Sequence, residues 1–271
     1  MRGEFLDLGG TSLYYYAAGT RGAGEPIVCL HGFPVSGHLW SSVVPLLPPG
    51  HRVVVLDLLG YGRSDRPLGR SVAIAAHAAR VAALLDELRI ERACVVGHGL
   101  GGAVAQVLAL RHRARVSRLC LVNSAAFGET GPSARVARLL RPLARHLPPR
   151  ALTAMVRRRM QRGYADPSRA ARSIDLYLRP FAGPDGHAAL LEHIAAWDEA
   201  LLPTSSDLAR ITAPTMIVRG GADGAEASSA DFRLVASIPG ATLAQVADAR
   251  RFTPEEAPQP VADAIAALLA R

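Results

Sequence analysis

Gly97-His98-Gly99-Leu100-Gly101-Gly102 closes an apolar run, Ala93–Val96, and leads into a helical stretch beginning at Leu100. A strand that turns this sharply into a helix lifts the middle residue of the turn above the strand ends. It also leaves the first helical N–H groups without intrahelical partners. The middle residue here is Gly99, which has no side chain to lift. The turn therefore offers hydrogen-bond donors to an anion but no nucleophile, and glycine accepts the strained backbone such a turn imposes. His98 places an imidazole next to the turn, with a structural role and an acid–base role both open to it.

Further motifs follow in order along the chain. His31-Gly32-Phe33-Pro34 comes after the apolar run Pro26–Leu30, and Asp57-Leu58-Leu59-Gly60-Tyr61-Gly62-Arg63-Ser64 comes after Val53. Gly220-Gly221-Ala222-Asp223 follows Met216–Arg219, and Phe252-Thr253-Pro254-Glu255-Glu256-Ala257-Pro258 opens the last helix. As an ordered set at these spacings, the motifs resemble the α/β-hydrolase superfamily along nearly the whole chain.

That resemblance implies an α/β-hydrolase fold, with a mostly parallel central sheet flanked by helices and an all-helical cap inserted in it. It implies an oxyanion hole from the backbone N–H groups of Phe33 and Leu100, and it puts Asp223 in the place of the acid that orients a histidine. Gly99 then stands in the nucleophile position, and Asp248-Ala249-Arg250-Arg251-Phe252 puts Arg251 where the histidine belongs. No histidine occurs after His193. A triad needs a nucleophile, a base to take its proton and an acid to hold the base. Arginine stays protonated, so Arg251 cannot be that base. Asp223 is expected to pair with Arg251 or Arg250, leaving a guanidinium to meet a substrate carboxylate or phenolate.

Other polar residues compete for places around this turn. His38 precedes Trp40 on a loop that could face the pocket, and Asn123 and Ser124 end the strand before the insertion. Ligands in such sheets meet the carboxyl ends of strands, so both Asn123 and Ser124 are candidates to line the pocket or to cap the next turn. His31 reads as structural, His187 and His193 as solvated residues of the insertion, and Tyr14-Tyr15-Tyr16 as an edge strand.

Positioning these groups requires a sheet. Strands are expected at Leu13–Ala17, Pro26–Leu30, Val53–Asp57, Ala93–Val96, Arg118–Val122, Thr215–Arg219 and Thr242–Val246. Helices are expected at Leu39–Leu46, Val72–Leu88, Leu100–His112, Ser229–Ile238 and Pro260–Ala270, the second with an apolar face of Val72, Ala76, Ala79, Ala83 and Leu84. Residues 127–203 lack a strand pattern and read as the helical cap, dividing a core of 1–126 and 204–271. Pro132 to Pro180 carries twelve arginines against two aspartates, and Val136, Leu139, Leu140 and Leu143 form an amphipathic face opposite Arg135, Arg138, Arg141 and Arg145.

Composition narrows the function. The formal charge of +8 comes from arginine alone, which excludes Schiff-base lysine chemistry. Cys29, Cys94 and Cys120 sit in separate apolar runs and form neither a disulfide framework nor a metal spacing. No cofactor is called for. No apolar run approaches a membrane span, the first residues lack a secretory apolar region, and a cytoplasmic protein is expected.

The expected partner is a small-molecule substrate, including an anionic or carrier-bound one. Nucleic acid is not expected, and the oligomeric state stays open. Three readings follow: a non-hydrolytic enzyme of the cyclase, lyase or isomerase type with a place in specialised biosynthesis, a binding pseudohydrolase, and residual hydrolysis through another histidine.

Overall fold

A computed structural model describes residues 3–19, 24–127, 146–196 and 202–271. Eight strands form one sheet in the order β1-β2-β4-β3-β5-β6-β7-β8. They are β1 Gly3–Asp7, β2 Ser12–Ala18, β3 Ile27–Leu30, β4 Val53–Leu56, β5 Ala93–His98, β6 Val116–Val122, β7 Thr215–Gly220 and β8 Thr242–Val246. β1 and β2 run antiparallel; β4 through β8 are parallel. β3, β4 and β5 are buried at every residue, as expected of parallel strands covered on both faces and rich in Val, Ile, Leu and Cys.

Chain order reverses beside β3. The chain leaves β3 for β4 on one side and returns to β5 on the other, with Leu30 opposite Gly97. A crevice opens at such a switch point, outside the carboxyl ends of the two strands. The loop carrying His31-Gly32-Phe33 and the turn at Gly99 are thereby made neighbours.

The helices are α1 Ile74–Glu87, α2 Leu100–Arg111, α3 Pro149–Gln161, α4 Pro167–Leu178, α5 Pro184–Ala196, α6 Ser205–Leu208, α7 Ala225–Ser237, α8 Thr253–Glu256 and α9 Pro258–Leu269. Among the described residues no strand lies between β6 and β7, where α3, α4 and α5 occur. The expected amphipathic stretch around Val136 to Leu143 lies outside the described residues.

Several local expectations differ from what is seen. Leu39–Leu46 is not one helix but two 3-10 turns, Gly37–Trp40 and Val44–Leu46, the second with Pro45 in its first turn. The buried face of α1 is Ile74, His77, Ala78, Val81, Leu84 and Leu85, while Ala79 is exposed. An alanine-rich helix leaves its phase ambiguous, since alanine suits either face. β2 is not an edge, because β1 pairs along it and leaves all three tyrosines buried. β1 lacks a strong apolar alternation, and its Phe5 is largely exposed. The three cysteines are free and buried, as expected, and burial pushes their thiols up, that of Cys94 to about 12.

Candidate functional site

Gly99 sits between β5 and α2 with φ 54° and ψ −118°. Its flanking glycines are there because backbone passes against backbone. A Cβ on Gly97 would lie 2.4 Å from the Gly101 carbonyl oxygen, and one on Gly101 would lie 2.5 Å from the carbonyl oxygens of both Leu30 and His31. At Gly99 the only such contact is the Gly32 Cα at 3.5 Å, an ordinary van der Waals distance. Space therefore demands glycine at 97 and 101, whereas only the left-handed φ favours it at 99. The turn is pinned on its other side by Gly99 N donating to Val122 O at 3.2 Å and by Ala125 N donating to Gly99 O at 3.0 Å.

Two backbone donors border this turn. Neither the Phe33 nor the Leu100 N–H has a protein acceptor among the described residues. His31 shapes the loop that carries Phe33. Its Nε2 accepts from Leu58 N at 2.9 Å, so the proton is on Nδ1, which donates to Gly32 O at 2.8 Å. With both nitrogens engaged, His31 is structural, as expected, and burial pushes it down to about 4.

His98 faces the core rather than open space. Its Nε2–H donates to the Arg251 carbonyl at 2.7 Å, and its Nδ1 has no partner among the described residues. A Cβ on Gly32 would come within 2.8 Å of that Nδ1, so the imidazole backs directly onto the Phe33 loop. Burial holds His98 neutral, pushing it down to about 4, although the Arg251 carbonyl acts in the opposite direction.

The loop carrying Arg251 is fixed through its backbone. Arg250 N donates to Glu256 Oε2 at 2.9 Å, and Arg250 Nη1 donates to Arg162 O at 3.2 Å. Phe252 N donates to Gly163 O at 3.3 Å, while its ring stacks on Tyr164 at 4.2 Å. Thr253 Oγ1 lies 2.6 Å from both Asn123 Oδ1 and Arg250 O. The expected pairing of Asp223 with Arg251 or Arg250 is therefore corrected: neither ion pair forms among the described residues. Backbone bonds already anchor the loop. The half-buried Arg251 guanidinium has no protein acceptor among the described residues.

Asp231 on α7 is a group the sequence reading missed. It is 4% exposed, and its carboxyl is pushed up to about 7 by burial and by Asp223, with Arg219 and Arg251 acting against the rise. The signal was present, because Asp231 shares a buried helical stripe with Leu234 and Ile238. An acid on such a stripe is either neutral or near a cation.

The remaining candidates separate. Ser124 is turned into the core, where its Oγ accepts from Gln106 Nε2 at 2.9 Å. Asn123, at φ 41°, ties β6 to Thr253. His38 is exposed, with its ring 6.2 Å from that of Tyr177 on α4. His193 is not solvated as expected: it is buried, hydrogen-bonds to the Gly60 backbone and lies over Tyr61 at 4.1 Å. Glu255 accepts from the hydroxyls of Tyr164 and Tyr177, so α4 and the turn before it are clasped to the loop that carries Arg251. Among the described residues no cluster of histidine, cysteine and carboxylate side chains could hold a metal.

The family described as alpha/beta hydrolase fold matches residues 25–258. An AB hydrolase superfamily protein of Bacillus subtilis is 39% identical over 104 residues, covering 38% of this chain and 36% of that protein. A putative 2-succinyl-6-hydroxy-2,4-cyclohexadiene-1-carboxylate synthase of the same species is 34% identical over 93 residues, 33% of this chain and 34% of that protein. The chain thus spans about a third of the length of these curated relatives. The crystal structure of a hydrolase from Pseudomonas aeruginosa superimposes with a TM-score of 0.82 at 26% identity, over 99% of this chain and 98% of the other.

Proposed function

This chain belongs to the alpha/beta hydrolase family, and we propose that it is a small-molecule enzyme of that family whose chemistry is not hydrolysis. The observation that carries this reading is the turn itself. Gly99 has a strained left-handed backbone between strand and helix and no side chain, while the Phe33 and Leu100 N–H groups beside it have no protein partner among the described residues. Such donors stabilise an enolate or an alkoxide without a covalent adduct. Cyclisation, elimination, isomerisation and carbon–carbon cleavage all pass through charge of that kind.

On this reading the family's triad is incomplete at two positions, Gly99 and Arg251. Arg251 remains a cation, and its guanidinium suits a substrate carboxylate or phenolate. Residual hydrolysis through another histidine has less support. His31 spends both ring nitrogens on backbone, and His98 donates to Arg251 O, with burial holding both neutral. Asp231, within electrostatic reach of Arg251, is a group that exchanges a proton near neutrality. Support also comes from the relative named as a synthase. Residues 127–203 act in this account as a cap over the site.

The double variant Gly99→Ser, Arg251→His tests the assignment. The Gly99 Cβ direction is open and Asp223 has no ion pair among the described residues, so a new serine and histidine have room and an acid. Hydrolysis of p-nitrophenyl acetate is expected to rise at least about 100-fold over the parent, a small part of what a complete triad supplies. A folded double variant with the parent's rate would contradict the placement of these two positions.

A further inference from the structure

We propose that the outer face of α3 and α4 docks an acidic protein partner, through a row of carboxylates on a helix of that partner. On α3 and the residue that follows it, Arg150, Arg158, Arg159 and Arg162 are all exposed, Arg158 and Arg162 one turn apart and Arg150 about two turns before Arg158. The helix contains no acidic residue, and its apolar side, Leu152, Val156 and Met160, is already buried against the protein. On α4, Arg172 and Arg179 flank Asp175, whose carboxylate is engaged by Arg157 at 2.7 Å.

None of these six flanking arginines has a protein acceptor among the described residues. Arginines elsewhere are commonly held: Arg66 by Gly62 O, Arg80 by Ser71 O, Arg115 by Asp86 and Arg118 by Glu25. Exposed arginines without an acceptor occur on the core too, Arg89, Arg92 and Arg111 among them, but among the described residues only α3 and the residue after it carry four such arginines together, on a helix without acidic residues. Like charges four residues apart, as at Arg158 and Arg162, weaken a helix, a cost that a row of carboxylates would reverse.

Charge complementarity sets the sign of the partner, and the pattern on the face sets its class. The line from Arg150 to Arg162 is about 18 Å long, the length of a helix of just over three turns. Bidentate guanidinium–carboxylate pairs suit such a match. Insertion into a lipid surface needs a continuous apolar outer face, and among the described residues α3 and α4 expose only Met155 and Leu176 as large apolar side chains. Single-stranded nucleic acid would call for aromatic side chains between the cations, and the exposed face of α3 has none. Docking here would reach the candidate site, because the turn after α3 holds the Arg251 loop through Arg162 O and Gly163 O.

The test compares two variants of equal net charge in the full chain. One is Arg150→Gln, Arg158→Gln, Arg159→Gln, Arg162→Gln; the other is Arg89→Gln, Arg92→Gln, Arg111→Gln, Arg113→Gln, at exposed positions of the core. The probes are a helical 16-residue peptide with glutamate at every fourth position, phosphatidylglycerol vesicles and a 20-base-pair DNA duplex. All are measured at physiological salt, with circular dichroism checking the fold. The peptide is expected to bind the parent, to lose at least about tenfold in affinity to the α3 variant and to lose under about threefold to the core variant. Equal losses in both variants would overturn the proposal, as would no peptide binding to the parent. Dependence on the α3 arginines seen only with vesicles or DNA would overturn it in favour of that partner.

Discussion

Lowering the pH from 7 to 4 is expected to unfold this protein, with most of the stability lost between about 6.5 and 4. Four histidines are buried: His31, His77, His98 and His193. Burial pushes His31, His98 and His193 down to about 4 and His77 well below its usual range. The unfolded chain therefore takes up protons first as pH falls through about 6.5, and the folded chain does so only near 4. Stability from neutral burial is full above 6.5 and drains away below it. Each of the three costs on the order of 3 kcal/mol by pH 4. Asp231, raised to about 7, works in the opposite direction by a similar amount. The net loss from these four groups is on the order of 6 kcal/mol, and His77, also pushed down, adds to it, against the 5–15 kcal/mol typical of a folded domain.

His77 provides the internal control. Among the described residues neither of its ring nitrogens has a partner, and the charges bearing on it come from His193, Arg80 and His31. His77→Leu should stabilise the protein at pH 7 by about 1–2 kcal/mol, since an unpaired buried polar group is removed at similar volume. It should also move the acid midpoint downward. Urea unfolding at a series of pH values reads both effects. Stability that holds level to pH 4.5, or an acid midpoint unmoved in His77→Leu, would contradict this account of the buried imidazoles.

The second large effect separates glycines that look alike in the sequence. Gly101→Ala pushes a methyl to 2.5 Å from two carbonyl oxygens at the end of β3, a strand hydrogen-bonded on both sides. Neither oxygen can yield without breaking the sheet, so a loss of about 3 kcal/mol or more is expected. Gly99→Ala meets only the Gly32 Cα at an ordinary distance, and its cost is the left-handed backbone, about 1–2 kcal/mol. Equal losses in thermal or urea unfolding would mean that the turn has no open side at Gly99, and the candidate site would lose its basis.

β3, β4 and β5 were legible because their apolar runs are unbroken and each leads into a glycine-containing motif. β1 was not, because Gly3-Glu4-Phe5-Leu6-Asp7 carries too few apolar residues to register as a strand. The ordered motifs located the turn at Gly99 and the loop of Arg251, but periodicity cannot show how a loop is held. The pairing expected between Asp223 and Arg251 failed because His98 and Glu256 anchor the backbone on either side of that side chain. Similarly, His193 looks like any polar residue on a helix of the insertion, and its burial over Tyr61 depends on tertiary packing that brings α5 down onto the loop after β4. Asp231 was readable from its stripe with Leu234 and Ile238, although its two arginine neighbours come from β7 and from the loop after β8.

On the proposed function, the turn at Gly99 stabilises an anion without forming a covalent bond. Treating the parent protein with a fluorophosphonate probe and measuring its intact mass tests this most directly. An unmodified mass and no burst with an aryl ester are expected of a turn with donors and no nucleophile. A one-to-one adduct on a serine beside this turn would contradict it.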